Sequence, residues 1–226
     1  MQSKRASGKL SEVYDYTGTS GGGMTIYKYS MSFTAGSLFC QESLMIAELF
    51  LDFRDWNVVR KKVLSENLLQ TRTLNTLKRV YREISSRLKT LCEEELILMV
   101  KGTPQDQNQL LWLSVCRRYE FISDFAKEVL RERFIAFKSV LQYEDFDVFF
   151  NQKAEWHDEL DRIAHATRIK VRQIIFKMMR EAGLLTDSHI INPVVLSAQF
   201  LQAIPRRQRE DLLVFPVFQA DLCRWA

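Results

Sequence analysis

Glycine and proline are nearly missing from most of this chain. Of eight glycines in 226 residues, five (Gly8, Gly18, Gly21, Gly22 and Gly23) fall within the first 23. The remaining 203 residues hold three glycines and four prolines, against an average usage of about 12% for the two together. A β-sandwich, barrel or propeller turns every few residues and places Gly or Pro at many of those turns. A chain without that punctuation is expected to be mainly α-helical, and a Gly-rich nucleotide-binding fold is disfavoured for the same reason.

Hydrophobic spacing supplies the helices. Residues 1–30 are polar, Gly/Ser-rich and aperiodic at first, and read as a disordered tail. From Ser37 an apolar face runs to Phe53, and Asp55 can cap the helix that follows. Leu74, Leu77, Tyr81, Ile84, Leu88 and Leu91 recur at steps of 3, 4, 3, 4 and 3, one continuous helical stripe. Thr90 with Glu93 has capping-box spacing for the next helix, which should stop at Gly102. Thr103-Pro104-Gln105-Asp106 is a helix start: a capping hydroxyl, proline in the first turn, then an acid. Residues 103–134 form either one long helix or two joined by a tight break near Arg118. Further on, helices are expected over 144–154, over 158–164 and from a Thr167 cap to Ala182, with Gly183 as the stop. Leu184 to Ile191 is spaced for a very short hairpin, and Ser197 can cap one more helix. The predicted architecture is two packed helical bundles, residues 31–138 and 139–226. Two short helices, a longer one and a hairpin in the second follow the order of a winged helix-turn-helix.

Charge is polarised although the total is only +4. Residues 72–89 carry a net +5 and residues 168–180 another +5, while residues 144–161 carry −6. On the 168–182 helix, Val171, Ile174, Ile175, Met178 and Ala182 share one face. Lys170, Gln173, Lys177 and Arg180 follow at steps of 3, 4 and 3 on another, a ridge suited to phosphates and base edges. The candidate DNA-binding residues are therefore Arg168, Lys170, Arg172, Gln173, Lys177 and Arg180, with Lys78, Arg82 and Lys89 of the earlier basic helix as a second surface. Either set is also compatible with an ordinary solvated helix face.

Catalytic signals are weak. His157, His165 and His189 lack metal-binding spacing. Asp187-Ser188-His189 holds triad residue types, but a polar turn explains it better, since adjacency is not triad geometry. No two of Cys40, Cys92, Cys116 and Cys223 lie close enough for a CxxC site, so reduced, buried thiols are expected. The longest strongly apolar run, Leu212 to Phe218, is interrupted by Pro216 and falls well short of the ~20 residues of a spanning helix. No cofactor, metal, small-molecule substrate or membrane is expected, and a cytoplasmic location is.

Five stretches together resemble one family. They are Ser32–Leu38 (SFTAGSL), Glu66–Thr73 (ENLLQTRT), Leu110–Tyr119 (LLWLSVCRRY), Tyr143–His157 (YEDFDVFFNQKAEWH) and Met179–Leu185 (MREAGLL). In this order they are similar to BrxA, the small helical component of bacterial BREX (bacteriophage exclusion) defence systems. The resemblance runs from about Ser32 to about Leu201. It implies an accessory, non-catalytic role beside the other BREX components, an ATPase, a DNA methyltransferase and a phosphatase-like protein among them, with binding to double-stranded DNA as the leading proposal. It transfers no site residue. The alternative is a protein scaffold within the BREX complex, favoured by the acidic 144–161 segment and the apolar C-terminus from Leu212 to Trp225.

Overall fold

The computed structural model describes residues 28–33 and 36–218. Most of the expected tail, and Cys223 to Trp225, lie outside those residues. Eleven α-helices are present among them: α1 (Cys40–Phe53), α2 (Trp56–Glu66), α3 (Leu74–Leu88), α4 (Glu93–Lys101), α5 (Pro104–Arg118), α6 (Glu120–Phe125), α7 (Glu132–Ile135), α8 (Tyr143–Ala154), α9 (Asp158–Asp161), α10 (His165–Glu181) and α11 (Ala198–Ala203). A π-helical stretch, Ala126–Arg131, joins α6 to α7, and a 3-10 helix covers Arg206–Val214. The described residues contain no strand; pairing is limited to two isolated bridges, Val140 with Ile190 and Leu185 with Ile191.

Most helix boundaries follow from capping chemistry. The Asp55 carboxylate accepts from the Asn57 N–H at 2.7 Å and starts α2. Thr103 and Asp106 cap α5 reciprocally, with Pro104 in the first turn. Ser197 Oγ accepts from the Phe200 N–H at 2.9 Å and starts α11. Gly183, at φ +75, follows the last residues of α10 in the left-handed conformation that glycine adopts without strain. The start of α4 departs from expectation. Its N-cap is Cys92, whose N–H donates to Glu95 at 2.8 Å, two residues beyond the expected Thr90/Glu93 pair. Thr90 instead turns its hydroxyl back onto the Arg87 carbonyl at 2.7 Å, so it closes α3 rather than opening α4.

The 103–134 segment breaks at Tyr119, which has φ −128 and ψ 97, into α5 and a helical run made of α6, the π-helical stretch and α7. No glycine or proline forces the break; the side chain does. Tyr119 is 1% exposed. Its hydroxyl donates to Glu83 Oε1 at 2.6 Å, and its ring meets Phe33 edge-on at 5.2 Å. Burial and the Glu83 carboxylate push the hydroxyl up to about 12, so it stays a neutral donor. Glu83 also receives Arg87 at 2.7 Å. Arg87 in turn donates to the Ser37 carbonyl at 2.7 Å, and Ser37 Oγ and the Leu38 N–H donate to Glu181 at 3.1 and 2.7 Å. One polar chain thus ties α3, the α5–α6 break, the entry to α1 and the end of α10.

Around it the core is aromatic. Phe121 and Phe125 of α6 meet Phe146 and Phe149 of α8 with ring centroids 5.3–6.1 Å apart, a geometry that adds to their area burial. A second brace lies at Arg117. Its guanidinium forks onto Glu95 at 2.7 and 2.8 Å and reaches Asp211 at 2.6 Å, joining α4, α5 and the 3-10 helix. The apolar C-terminal stretch packs on the same side: Leu212, Val214, Phe215 and Val217 are buried, and Trp112 Nε1 donates to the Val214 carbonyl at 3.1 Å. Tyr29 falls inside the span expected as tail, yet it is buried, donating its N–H to Glu159 at 2.6 Å and its hydroxyl to Asp124 at 2.6 Å.

Two outcomes follow for stability. Glu83→Ala strips a buried arginine and a buried hydroxyl of their acceptor and should cost about 3–5 kcal/mol in urea unfolding. Glu66→Ala, which loses only the exposed Lys62 pair, should stay within about 1 kcal/mol of wild type. Asp106 gives the second. Burial raises its carboxyl, but hydrogen bonds from Ser197 and Thr103 outweigh that and hold it below the usual carboxylate range. Its stabilisation is complete above the ordinary aspartate pKa of about 4 and is lost as pH falls through the lower folded value. Asp106→Asn should flatten that acid limb in denaturation measured between about pH 2 and 5.

Candidate nucleic-acid interface

Helix α10 carries six of the nine residues expected to meet DNA. It begins at His165 after Ala164, not at a Thr167 cap; Thr167 lies within its first turn. Val171, Ile174, Ile175 and Met178 face the core as their spacing predicts, and Ala182, just past the helix end, is buried with them.

The six polar positions separate into two groups. Arg168 and Arg172 are committed within the protein. Arg168 donates to Asp147 Oδ1 at 3.2 Å, to the Asp147 carbonyl at 2.8 Å and to Asn151 at 2.7 Å. Arg172 pairs with the other oxygen of the same carboxylate. Both guanidiniums lie over rings of α8, Arg168 over Phe150 and Arg172 over Tyr143, each at 4.6 Å. These stacked pairs brace α10 on α8. Lys170, Gln173 and Lys177 form the exposed group. Lys177 leans toward Glu181 at 3.6 Å, a carboxylate already held by Ser37 and Leu38. Arg180 is partly covered and sits beside the turn, 3.9 Å from Asp187 and 3.5 Å from His189 Nε2.

The expected hairpin is a tight polar turn. The His189 N–H bonds the Thr186 carbonyl at 3.0 Å, the Thr186 N–H bonds the Ile190 carbonyl at 2.9 Å, and His189 takes a left-handed φ of 62. Asp187-Ser188-His189 belongs to this turn: Ser188 Oγ pairs with Thr186 Oγ1 at 2.9 Å, and Asp187 is fully exposed. The described residues contain no group of His, Cys, Asp and Glu suited to hold a metal ion.

The acidic segment 144–161 spends much of its charge internally. Asp145 pairs with Arg133, Asp147 with both α10 arginines, and Glu159 with the Tyr29 N–H and His157. Leu212, Val214, Phe215 and Val217 are packed into the core, while Phe218 is 37% exposed and the rest of the stretch to Trp225 lies outside the described residues.

Lys78, Arg82 and Lys89 line a groove of about 520 Å³ between α2 and α3. Arg60 of α2 and Arg79 of α3 join them there. Neither was singled out from the sequence. The signal that could have found them is the run of cations on one side of α3, with α2 packed beside it.

The BrxA family model matches residues 27–208. A BREX protein BrxA from Escherichia coli O9:H4 (strain HS) is 27% identical over 180 residues, covering 79% of this chain and 84% of that one. A BREX protein BrxA from Bacillus cereus (strain H3081.97) is 24% identical over 145 residues, covering 64% and 70%. The crystal structure of an uncharacterized protein from Magnetospirillum magneticum superposes with a TM-score of 0.71 at 22% identity, covering 83% of this chain and 96% of that one; that likeness is one of fold. No helix among the described residues is long and apolar enough to cross a membrane.

The division of α10 into brace and surface is open to measurement. Arg168→Ala with Arg172→Ala should lower the unfolding free energy by more than 1 kcal/mol, since buried and stacked contacts go with the charges. Lys170→Ala with Lys177→Ala should stay within about 0.5 kcal/mol, as surface changes usually do.

Proposed function

Since the chain belongs to the BrxA family of BREX phage-defence systems, we propose that it is a non-catalytic accessory that binds double-stranded DNA in the cytoplasm, chiefly through phosphates, beside other BREX components. The observation that carries this is the exposed Lys170–Gln173–Lys177 edge of α10, which keeps its cations in solvent while the arginines behind it hold the helix in place. A rigid helix that presents lysines and an amide outward can position itself on a duplex backbone. The tight 186–190 turn beside Arg180 supports a minimal wing, shorter than the hairpin of a winged helix-turn-helix. The proposed recognition set is Lys170, Gln173, Lys177 and Arg180, with Lys78, Arg82 and Lys89 as a second basic surface. Arg168 and Arg172 act in it as positioning residues rather than as phosphate contacts.

A salt titration of duplex binding tests this. Log affinity should fall linearly with log salt, and Lys170→Ala/Lys177→Ala should reduce the magnitude of that slope by about 2. No duplex retardation by the wild-type protein at low salt would overturn the reading.

A further inference from the structure

The helical run that closes with α7 turns on a phenylalanine where helices usually place glycine. The Lys138 N–H bonds the Arg133 carbonyl at 2.9 Å, and the Phe137 N–H bonds the Phe134 carbonyl at 3.0 Å. That pair of bonds is the Schellman closure, whose turning residue is left-handed and most often glycine. Here it is Phe137, at φ 56, a backbone that costs stability in a bulky residue. Burial of the ring does not offset that cost, since Phe137 is 84% exposed. The residue is nonetheless firmly placed. Its ring lies 5.9 Å from Phe218, whose other neighbour is Phe134 at 4.7 Å. Just beyond it the chain is pinned to the 186–191 turn: the Ile191 N–H donates to the Ser139 carbonyl at 2.7 Å, and the Leu141 N–H to the His189 carbonyl at 3.0 Å. Arg133 ties the same loop to α8, donating to the Val140 carbonyl at 2.9 Å and pairing with Asp145. Phe137 is thus held out in solvent beside the turn on which Arg180 leans, with the exposed Lys138 next to it.

We propose that Phe137 is a wedge that stacks into a base step of duplex DNA and bends the duplex there. The proposal rests on the DNA-binding reading above and adds a contact to the bases that no phosphate supplies. An outlying backbone kept without any gain in packing points to a use for the ring. A neutral ring beside cations suits a nucleic-acid surface. Phenylalanines inserted at base steps unstack and kink a duplex, and an aromatic face stacks on any base. A protein partner is the poorer match. A stable interface takes about 800 Å² from each side, several times the roughly 150–250 Å² of one phenylalanine. The apolar residues that adjoin the ring, Phe218 with Val140 and Ile190 of the bridged loop and turn, are each less than half exposed. Opening a step costs least where the stack is already weak. The ring therefore gives this surface a preference for flexible or mismatched steps, which phosphate contacts alone do not.

The test uses the full-length protein and two short duplexes with a dye at each end, one fully paired and GC-rich, the other with a central mismatch. Anisotropy across salt gives affinity and slope, energy transfer between the dyes gives bending, and sedimentation gives the state of association. Phe137→Asn and Phe137→Gly remove the ring with residues that accept the left-handed backbone, so melting should hold or rise. Phe137→Trp keeps a ring. Wild type and Phe137→Trp should bend both duplexes and bind the mismatched one more tightly. The two ring-less variants should lose about tenfold in affinity at every salt. Their slope should stay as in wild type, because no charge is removed, while the bend and the preference for the mismatch disappear. Wild-type affinity and bending in both ring-less variants would overturn the wedge and leave the DNA reading standing. No duplex binding by the wild-type protein at low salt would overturn the DNA reading and the wedge with it. A wild-type self-association lost in the ring-less variants, with duplex binding untouched, would make the ring a protein contact and overturn the wedge alone. So would a fall in melting temperature in both, which would make it a packing element.

Discussion

A buried carboxylate organises this molecule. Glu83 accepts from Arg87 one turn along α3 and from the Tyr119 hydroxyl at the break between α5 and α6. Removing two charges and a phenol from water is costly, and the cost is offset only if all partners arrive together. That condition explains why α5 ends where it does. An uninterrupted helix would carry the residue 119 side chain along one fixed direction. The extended backbone at Tyr119 lets the hydroxyl reach Glu83 and the ring pack on Phe33. Through Arg87 and Ser37 the same chain extends to Glu181, so the seat of the proposed recognition helix depends on a carboxylate in the other half of the protein.

Elements governed by local chemistry were legible in the sequence. The Thr103-Pro104 start, the Asp55 and Ser197 caps and the glycine after α10 each rest on residues within one or two turns and appear as read; the α3 stripe holds from Leu77 to Leu88, while Leu74 is 54% exposed and Leu91 is buried beyond the helix end. Features set by distant partners were not. Thr90 has the spacing of a helix cap, but Arg87 and Glu95 decide its use and that of Cys92. Helix α10 starts at His165, two residues before the expected Thr167 cap, and its Arg168 bonds Asp147, a residue 21 positions earlier. The break at Tyr119 was open to a choice between one helix and two because its cause lies 36 residues away.

Charge shows the same divide. The net charge of each segment is a sequence property, but whether a charge faces solvent or a partner is not. Three of the five expected α10 cations lose their freedom: two to Asp147, while Arg180 leans on the turn. The α3 cations, ranked second from the sequence, keep theirs and gain Arg60 from α2. A charge run becomes a surface only after the fold has chosen which members to spend, and here the aromatic rings of Phe150 and Tyr143 make the choice for α10 by giving guanidiniums a flat seat that lysines do not need.

The contacts of the N-terminal strap also set the order of assembly. Tyr29 is tied to Glu159, 130 residues away, and Leu38 to Glu181, 143 residues away. On a ribosome adding roughly 5–20 residues each second, the partners of this first described segment emerge many seconds after it does. The helices α1 to α5 can pack on one another in the meantime, but the segment that leads into them has to wait. The beginning of the described chain is therefore among the last parts to lock, and the entropy of closing those long loops is met only when the far helices arrive. A nascent chain halted before α10 would hold its early helices and still lack the seal across their entrance.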